Sequence, residues 1–95
     1  MGKQTAEQYL ARLSRRWTLI DGKRIRRDFT FEDFALALAF VNRVGAIADE
    51  EGHHPDILIH SWNQVRLEIM THAVGGLSEN DFILAAKIDR DAAQG

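Results

Sequence analysis

At 95 residues the chain has room for one hydrophobic core and one domain, residues 1–95, and is small enough that a second copy would help it bury apolar surface. Its 12 basic and 14 acidic side chains leave a net charge of -2, without the basic excess of a nucleic-acid surface, and with no cysteine neither a disulfide framework nor thiolate chemistry is available. No window approaches the roughly 20 apolar residues of a membrane span, and Met1 to Thr5 lack the apolar core of a secretory signal, so a soluble cytoplasmic protein is expected.

In chain order, Thr5 reads as a helix N-cap, and Tyr9, Leu10 and Leu13 recur at helical spacing in a first helix ending near Arg15. Trp17, Leu19, the Asp21-Gly22 pair, Ile25 and Phe29 resemble two strands joined by a tight turn. Thr30, with Asp33 three residues on, predicts a capped helix from Phe31 to about Glu51. Along it Phe34, Leu38 and Val41 repeat at four and three, while Phe40, Val44 and Ile47 extend the apolar surface to a second face. Such a helix is expected to pack on its own sheet and, through the second face, on a partner subunit.

Gly52 is placed to stop that helix and Pro55 cannot continue it, so His53 and His54 fall at the helix exit. Strands are expected from Asp56 to Trp62 and from Gln64 to Thr71, because Val65, Leu67 and Ile69 alternate with polar residues, and His72 takes the polar parity. Gly75-Gly76 marks a loop, and Ser78 with Asp81 signals a last helix carrying Phe82, Leu84, Ala85 and Ile88. The order is α-β-β-α-β-β-α, and the two strand pairs leave a weak structural duplication open.

His53, His54 and His72, three of the chain's four histidines, fall together with His60 between residues 53 and 72. Imidazole is the one ordinary side chain that both takes and gives a proton near neutral pH, so the stretch reads as a proton-transfer site. A histidine at a helix C-terminus feels the negative end of the macrodipole, and Asp49 lies four residues before His53; both favour a proton on His53. His72, from a strand end, would act on another proton in the same cleft, two imidazoles in different surroundings dividing acid and base duties. The competing readings are a polar helix cap and a zinc site; neighbouring His53 and His54 lack the helical spacing of two zinc ligands on one face, so no metal is expected. His60 reads as a packed or surface residue. Trp62 fits either the core or a stacking surface for a flat heterocycle.

The ordered set of Asp49, His53-His54-Pro55-Asp56, Trp62-Asn63, Val65, Thr71-His72, Gly75-Gly76-Leu77-Ser78 and Asp81 resembles the signature of the pterin-4a-carbinolamine dehydratases. The resemblance runs from the first helix to the last. It implies an α+β fold, a four-stranded antiparallel sheet with helices packed on one face. It also implies a lyase activity: loss of water from 4a-hydroxytetrahydropterin (4a-hydroxytetrahydrobiopterin) to give quinonoid dihydropterin, which recycles the cofactor of aromatic amino acid hydroxylases. No metal or organic cofactor is implied. Carried over by position, His53 resembles the general acid and base at the 4a-hydroxyl, His54 a pterin-orienting residue and His72 the third site histidine, with Asp49, Pro55, Asp56, Trp62, Thr71 and Asp81 on the substrate side. Three departures from animal members stand out: Asp49 in place of glutamate, Ile57 in place of an aromatic, and one additional residue between His54 and His72, which a β-bulge would absorb.

The expected partners are a small pterin and further copies of the chain, as a homodimer or homotetramer, with no nucleic acid and no membrane. Two alternatives stand beside the dehydratase: a protein-binding module, acting as a dimerisation partner or regulator as animal relatives do, and an enzyme acting on a molybdopterin-related pterin.

Overall fold

A computed structural model of the chain describes residues 1–94. Its elements are α1 (Lys3–Leu10), β1 (Thr18–Ile20), β2 (Arg24–Thr30), α2 (Phe34–Glu51), β3 (Asp56–His60), β4 (Gln64–Ile69), a 3-10 turn (His72–Val74) and α3 (Glu79–Gln94). The strands form one antiparallel sheet in the order β1-β2-β4-β3, two hairpins joined through their second strands. This is the α+β architecture expected from the sequence.

Register decides which face is covered. Ile25 opposite Ile69, Arg27 opposite Leu67 and Phe29 opposite Val65 put every buried residue of β2 and β4 on one side. Ala6 of α1, Ala37, Phe40 and Val44 of α2, and Leu84, Ala85 and Ile88 of α3 close over that side in a single core. Alternation with period two makes the other side polar: Arg26 opposes Glu68 and Asp28 opposes Arg66. There Arg66 Nε donates to Asp28 at 2.8 Å, and Glu68 lies between Arg26 at 2.6 Å and Arg24 at 3.3 Å. Among the described residues no helix is long and apolar enough to cross a membrane.

Asp21 (φ 53°) and Gly22 (φ 68°) are both left-handed, the pair a tight hairpin turn demands and the Asp-Gly sequence announces. The second hairpin turns the same way on Ser61 (φ 50°) and Trp62 (φ 57°), residues that pay roughly 1–2 kcal/mol each for that conformation. The strand expected to reach Trp62 therefore ends at His60. The β3–β4 ladder pairs without interruption from Asp56 with Glu68 to His60 with Gln64, so no bulge interrupts it. At the same turn Asn63 and Phe31 bind reciprocally: Phe31 N–H donates to the Asn63 carbonyl at 2.9 Å, and Asn63 Nδ2 to the Phe31 carbonyl at 2.9 Å.

That clamp corrects the start of α2. Thr30 is the last ladder residue of β2, opposite Gln64, and Asp33 is the cap, its Oδ1 accepting Leu36 N–H at 2.8 Å. The first helix is corrected as well. Gly2 takes the cap position, Thr5 lies inside α1, and i to i−3 bonds from Arg12 and Leu13 to Tyr9 and Leu10 turn the chain out before Arg15.

The faces of α2 are exchanged relative to expectation. Phe40 (1% exposed) and Val44 (0%) belong to the chain's own core, Phe40 lying 4.6 Å from Phe29 and 5.0 Å from Phe31 between ring centroids. Phe34 (48%) and Leu38 (41%) face outward. Both stripes are apolar, so periodicity alone does not tell which one meets the sheet; the small Ala37 lets the Phe40 stripe approach closely. Phe40→Ala should destabilise the protein by about 3–5 kcal/mol and Phe34→Ala by less than about 1 kcal/mol, measured by urea unfolding.

Burial raises the Glu68 carboxyl, but hydrogen bonds from Arg26 and Arg24 outweigh it and leave its pKa below the ordinary 4.5. A lowered folded-state value contributes stability that is present above the unfolded value and is lost as pH falls through the folded one. Glu68→Gln should therefore narrow the gap in stability between about pH 7 and about pH 3, read from unfolding midpoints.

Candidate active site

Gly52, at φ 64°, ψ 28°, ends α2 in the left-handed conformation, with its N–H on the Asp49 carbonyl at 3.3 Å and that of His53 on the Ala48 carbonyl at 3.2 Å. These are the two bonds of a Schellman cap. They tie the His53 backbone to the last turn of α2, and Pro55 then turns the chain into β3. The cap also breaks the helical phase, so the expected pairing of His53 with Asp49 does not form. Asp49 Oδ1 lies 2.8 Å from His54 Nε2 instead, with both side chains largely in solvent (81% and 62% exposed).

His53 meets a different carboxylate. Its Nε2 is 2.6 Å from Asp81 Oδ1, with the imidazole 17% exposed and Asp81 0%. The other oxygen, Asp81 Oδ2, accepts the Ser78 N–H at 2.8 Å and the Thr71 hydroxyl at 3.0 Å. The Ser78-x-x-Asp81 spacing thus forms half of a capping box, the acid reaching back to the residue ahead of α3. The Ser78 hydroxyl goes elsewhere, lying 2.7 Å from Thr71 Oγ1.

The strand expected to reach Thr71 and deliver His72 from its end stops at Ile69. Thr71 instead bridges Gly76, donating its N–H to the Gly76 carbonyl at 2.7 Å, and His72 opens the 3-10 turn that Gly75 (φ 62°) closes. The glycine pair serves this turn. His72 is exposed and follows the very residue that binds Asp81.

The structure therefore gathers the α2 exit (His53, His54, Asp49), the β4 exit (Thr71, His72) and the α3 start (Ser78, Asp81). Pro55, half-buried, and Asp56, exposed, continue from the first of these. Asp56 opens β3 beside Arg26, Arg66 and Glu68 in a groove of about 250 Å³ on the polar face of the sheet. Trp62 is not brought to the site. It is 60% exposed in the turn at the far end of β3, beyond His60, which four residue steps along the strand already place about 13 Å from Asp56. His60 sits at that same end, its Nδ1 3.2 Å from Ser61 Oγ. Ser78, which the sequence marks as a helix cap and a signature position without a role at the site, joins it through its N–H on Asp81 and its hydroxyl on Thr71. Among the described residues no three His, Cys, Asp or Glu side chains converge as metal ligands.

At this junction of two chain exits and a helix start, two adjacent imidazoles thus rest on separate carboxylates, His53 on Asp81 and His54 on Asp49. The family model for pterin 4 alpha carbinolamine dehydratase matches residues 1–90. The chain belongs to that family. It is 49% identical over 87 residues, 92% of this chain and 75% of the relative, to a Nitrosomonas eutropha protein that carries the dehydratase name provisionally. It is 46% identical over 92 residues, 94% of this chain and 49% of the relative, to the mitochondrial pterin-4-alpha-carbinolamine dehydratase 2 of Arabidopsis thaliana. Among solved structures, a Brucella melitensis protein described as a transcriptional coactivator/pterin dehydratase superposes with a TM-score of 0.86 at 29% identity, covering 100% of this chain and 98% of that one. The dehydratases of this family are hydro-lyases.

Asp81→Ala would leave the Ser78 N–H, the Thr71 hydroxyl and His53 without their shared acceptor. A loss of about 2–4 kcal/mol is expected, with hydrogen exchange accelerated at the first turn of α3.

Proposed function

We propose that this chain dehydrates 4a-hydroxytetrahydropterin to quinonoid dihydropterin by histidine acid and base catalysis. In the reaction an acid protonates the 4a-oxygen, the C4a–O bond breaks as the N5 lone pair forms the C=N bond, and a base accepts the N5 proton. Water is the only other product, so the sum is proton-neutral. The observation that carries the reading is the pairing of a half-buried imidazole with a fully buried carboxylate, His53 on Asp81, at the junction that also holds His72. His54, largely in solvent and backed by the exposed Asp49, stands in different surroundings and is assigned to orienting the pterin. Different surroundings are what let neighbouring titratable groups take separate acid and base roles. Pro55, Asp56 and Thr71 complete the proposed substrate side; Trp62 is left out of it within one chain.

His53→Ala and His72→Ala should each slow carbinolamine loss by about 100-fold or more, followed spectroscopically, with circular dichroism confirming the fold. Unchanged acceleration in both variants would end the proposal. A panel of pterins, including molybdopterin-related ones, competing for binding identifies which ring system the site prefers.

A second reading, docking of further protein, is favoured by the outward Phe34 and Leu38 on α2. We propose that this stripe, rather than the Phe40 stripe, joins copies of the chain into a homodimer or homotetramer. Phe34→Glu with Leu38→Glu should lower the sedimentation coefficient of the assembly while unfolding midpoints stay near wild type. An unchanged assembly would remove the stripe from consideration.

A further inference from the structure

The protons around Asp81 can be counted. Ser78 N–H can only donate, and it takes Oδ2 at 2.8 Å. Thr71 Oγ1 has one proton and two neighbours, Asp81 Oδ2 at 3.0 Å and Ser78 Oγ at 2.7 Å. A carboxylate oxygen receiving an amide proton is an acceptor, so the Thr71 proton goes to Asp81 and the Ser78 hydroxyl must donate to Thr71. A directed chain results: Ser78 O–H to Thr71 Oγ1, Thr71 O–H to Asp81 Oδ2. Both protons on Oδ2 come from groups fixed by backbone, one at the head of α3 and one at the Thr71–Gly76 bridge. Oδ2 is thereby occupied, and Oδ1 is left to His53 Nε2 at 2.6 Å.

We infer that the hydroxyls of Thr71 and Ser78 are positioning groups for His53: by holding Asp81 in one orientation, they fix the neutral imidazole as the Nε2–H tautomer and leave Nδ1 as the nitrogen that exchanges a proton. This rests on the reading of His53 as the acid and base, and extends it to two residues that do not touch the reacting atoms. Neighbouring hydrogen bonds in such a chain polarise one another, so loss of the outermost hydroxyl is felt at the imidazole. The arrangement also assigns a separate task to each nitrogen of the ring, one anchored and one working.

The test uses the full chain with ¹⁵N-labelled histidine. Long-range ¹H–¹⁵N spectra at about pH 9, above the usual imidazole range, report which nitrogen carries the proton. Wild type should show His53 as Nε2–H. Thr71→Val, which keeps the shape and removes the hydroxyl, and Ser78→Ala should each raise the Nδ1–H population, and Thr71→Ser should restore the wild-type spectrum. In turnover, Ser78→Ala, which removes the outer hydroxyl from a residue outside the proposed substrate side, should lower kcat about tenfold with KM little changed, the lower end of what orienting partners of working histidines contribute at metal sites. A wild-type His53 found as Nδ1–H, or a tautomer unmoved in both hydroxyl variants, overturns the inference; the first of these needs no variant to fold. The spectra stand apart from pterin chemistry: the expected tautomers in a protein without dehydratase activity would uphold the positioning and reject the substrate, whereas an active enzyme with unmoved tautomers would do the reverse.

Discussion

Removing a carboxylate from water is costly unless its lone pairs are filled, and Asp81 has no exposed surface at all. Its two oxygens are filled by His53, Thr71 and the Ser78 N–H, which come from the exit of α2, the exit of β4 and the start of α3. Each of these groups has little reason to be where it is without the other two. The satisfaction of one buried charge thus fixes the relative placement of three segments far apart in sequence, and the site is the by-product of that fixing.

The scaffold makes the junction possible through register. Two hairpins joined at β2 and β4 place the exit of β4 beside the entry to β3, so that the chain leaving α2 and the chain leaving β4 arrive at one end of the sheet. The opposite end holds the turn with Trp62 and the Asn63–Phe31 clamp, which steers the chain into α2. One end of the β3–β4 hairpin therefore serves the site, and the other sets the entry angle of the helix that delivers His53.

Two histidines adjacent in sequence end up in unlike surroundings because a single glycine intervenes between them and the helix. The left-handed Gly52 rotates His53 inward to a buried carboxylate and leaves His54 outward on a solvated one. One imidazole is thus enclosed against a buried carboxylate and the other open to solvent on an exposed one, without any change of residue type.

Much of this was legible in the residues. The Asp-Gly turn, the alternation of Val65, Leu67 and Ile69, the Gly52 stop and the Ser78-x-x-Asp81 cap each act over a few residues, so local chemistry alone specifies them, and together they yield the element order and the stretch of chain that carries the histidines. What remained hidden depends on residues distant in sequence. Ser61 and Trp62 adopt a left-handed turn because strand pairing on both sides requires it, although neither residue type favours it. Phe31 stays out of α2 because Asn63 holds it, and Phe40 rather than Phe34 faces inward because Phe29 and Phe31 wait on the sheet side. The sequence by itself determined which side chains are able to move protons and the order in which helices and strands follow one another, since those follow from residue type and period. Only the tertiary structure decided which carboxylate each histidine meets, because partners separated by tens of residues are chosen by packing and by the need to satisfy a buried charge.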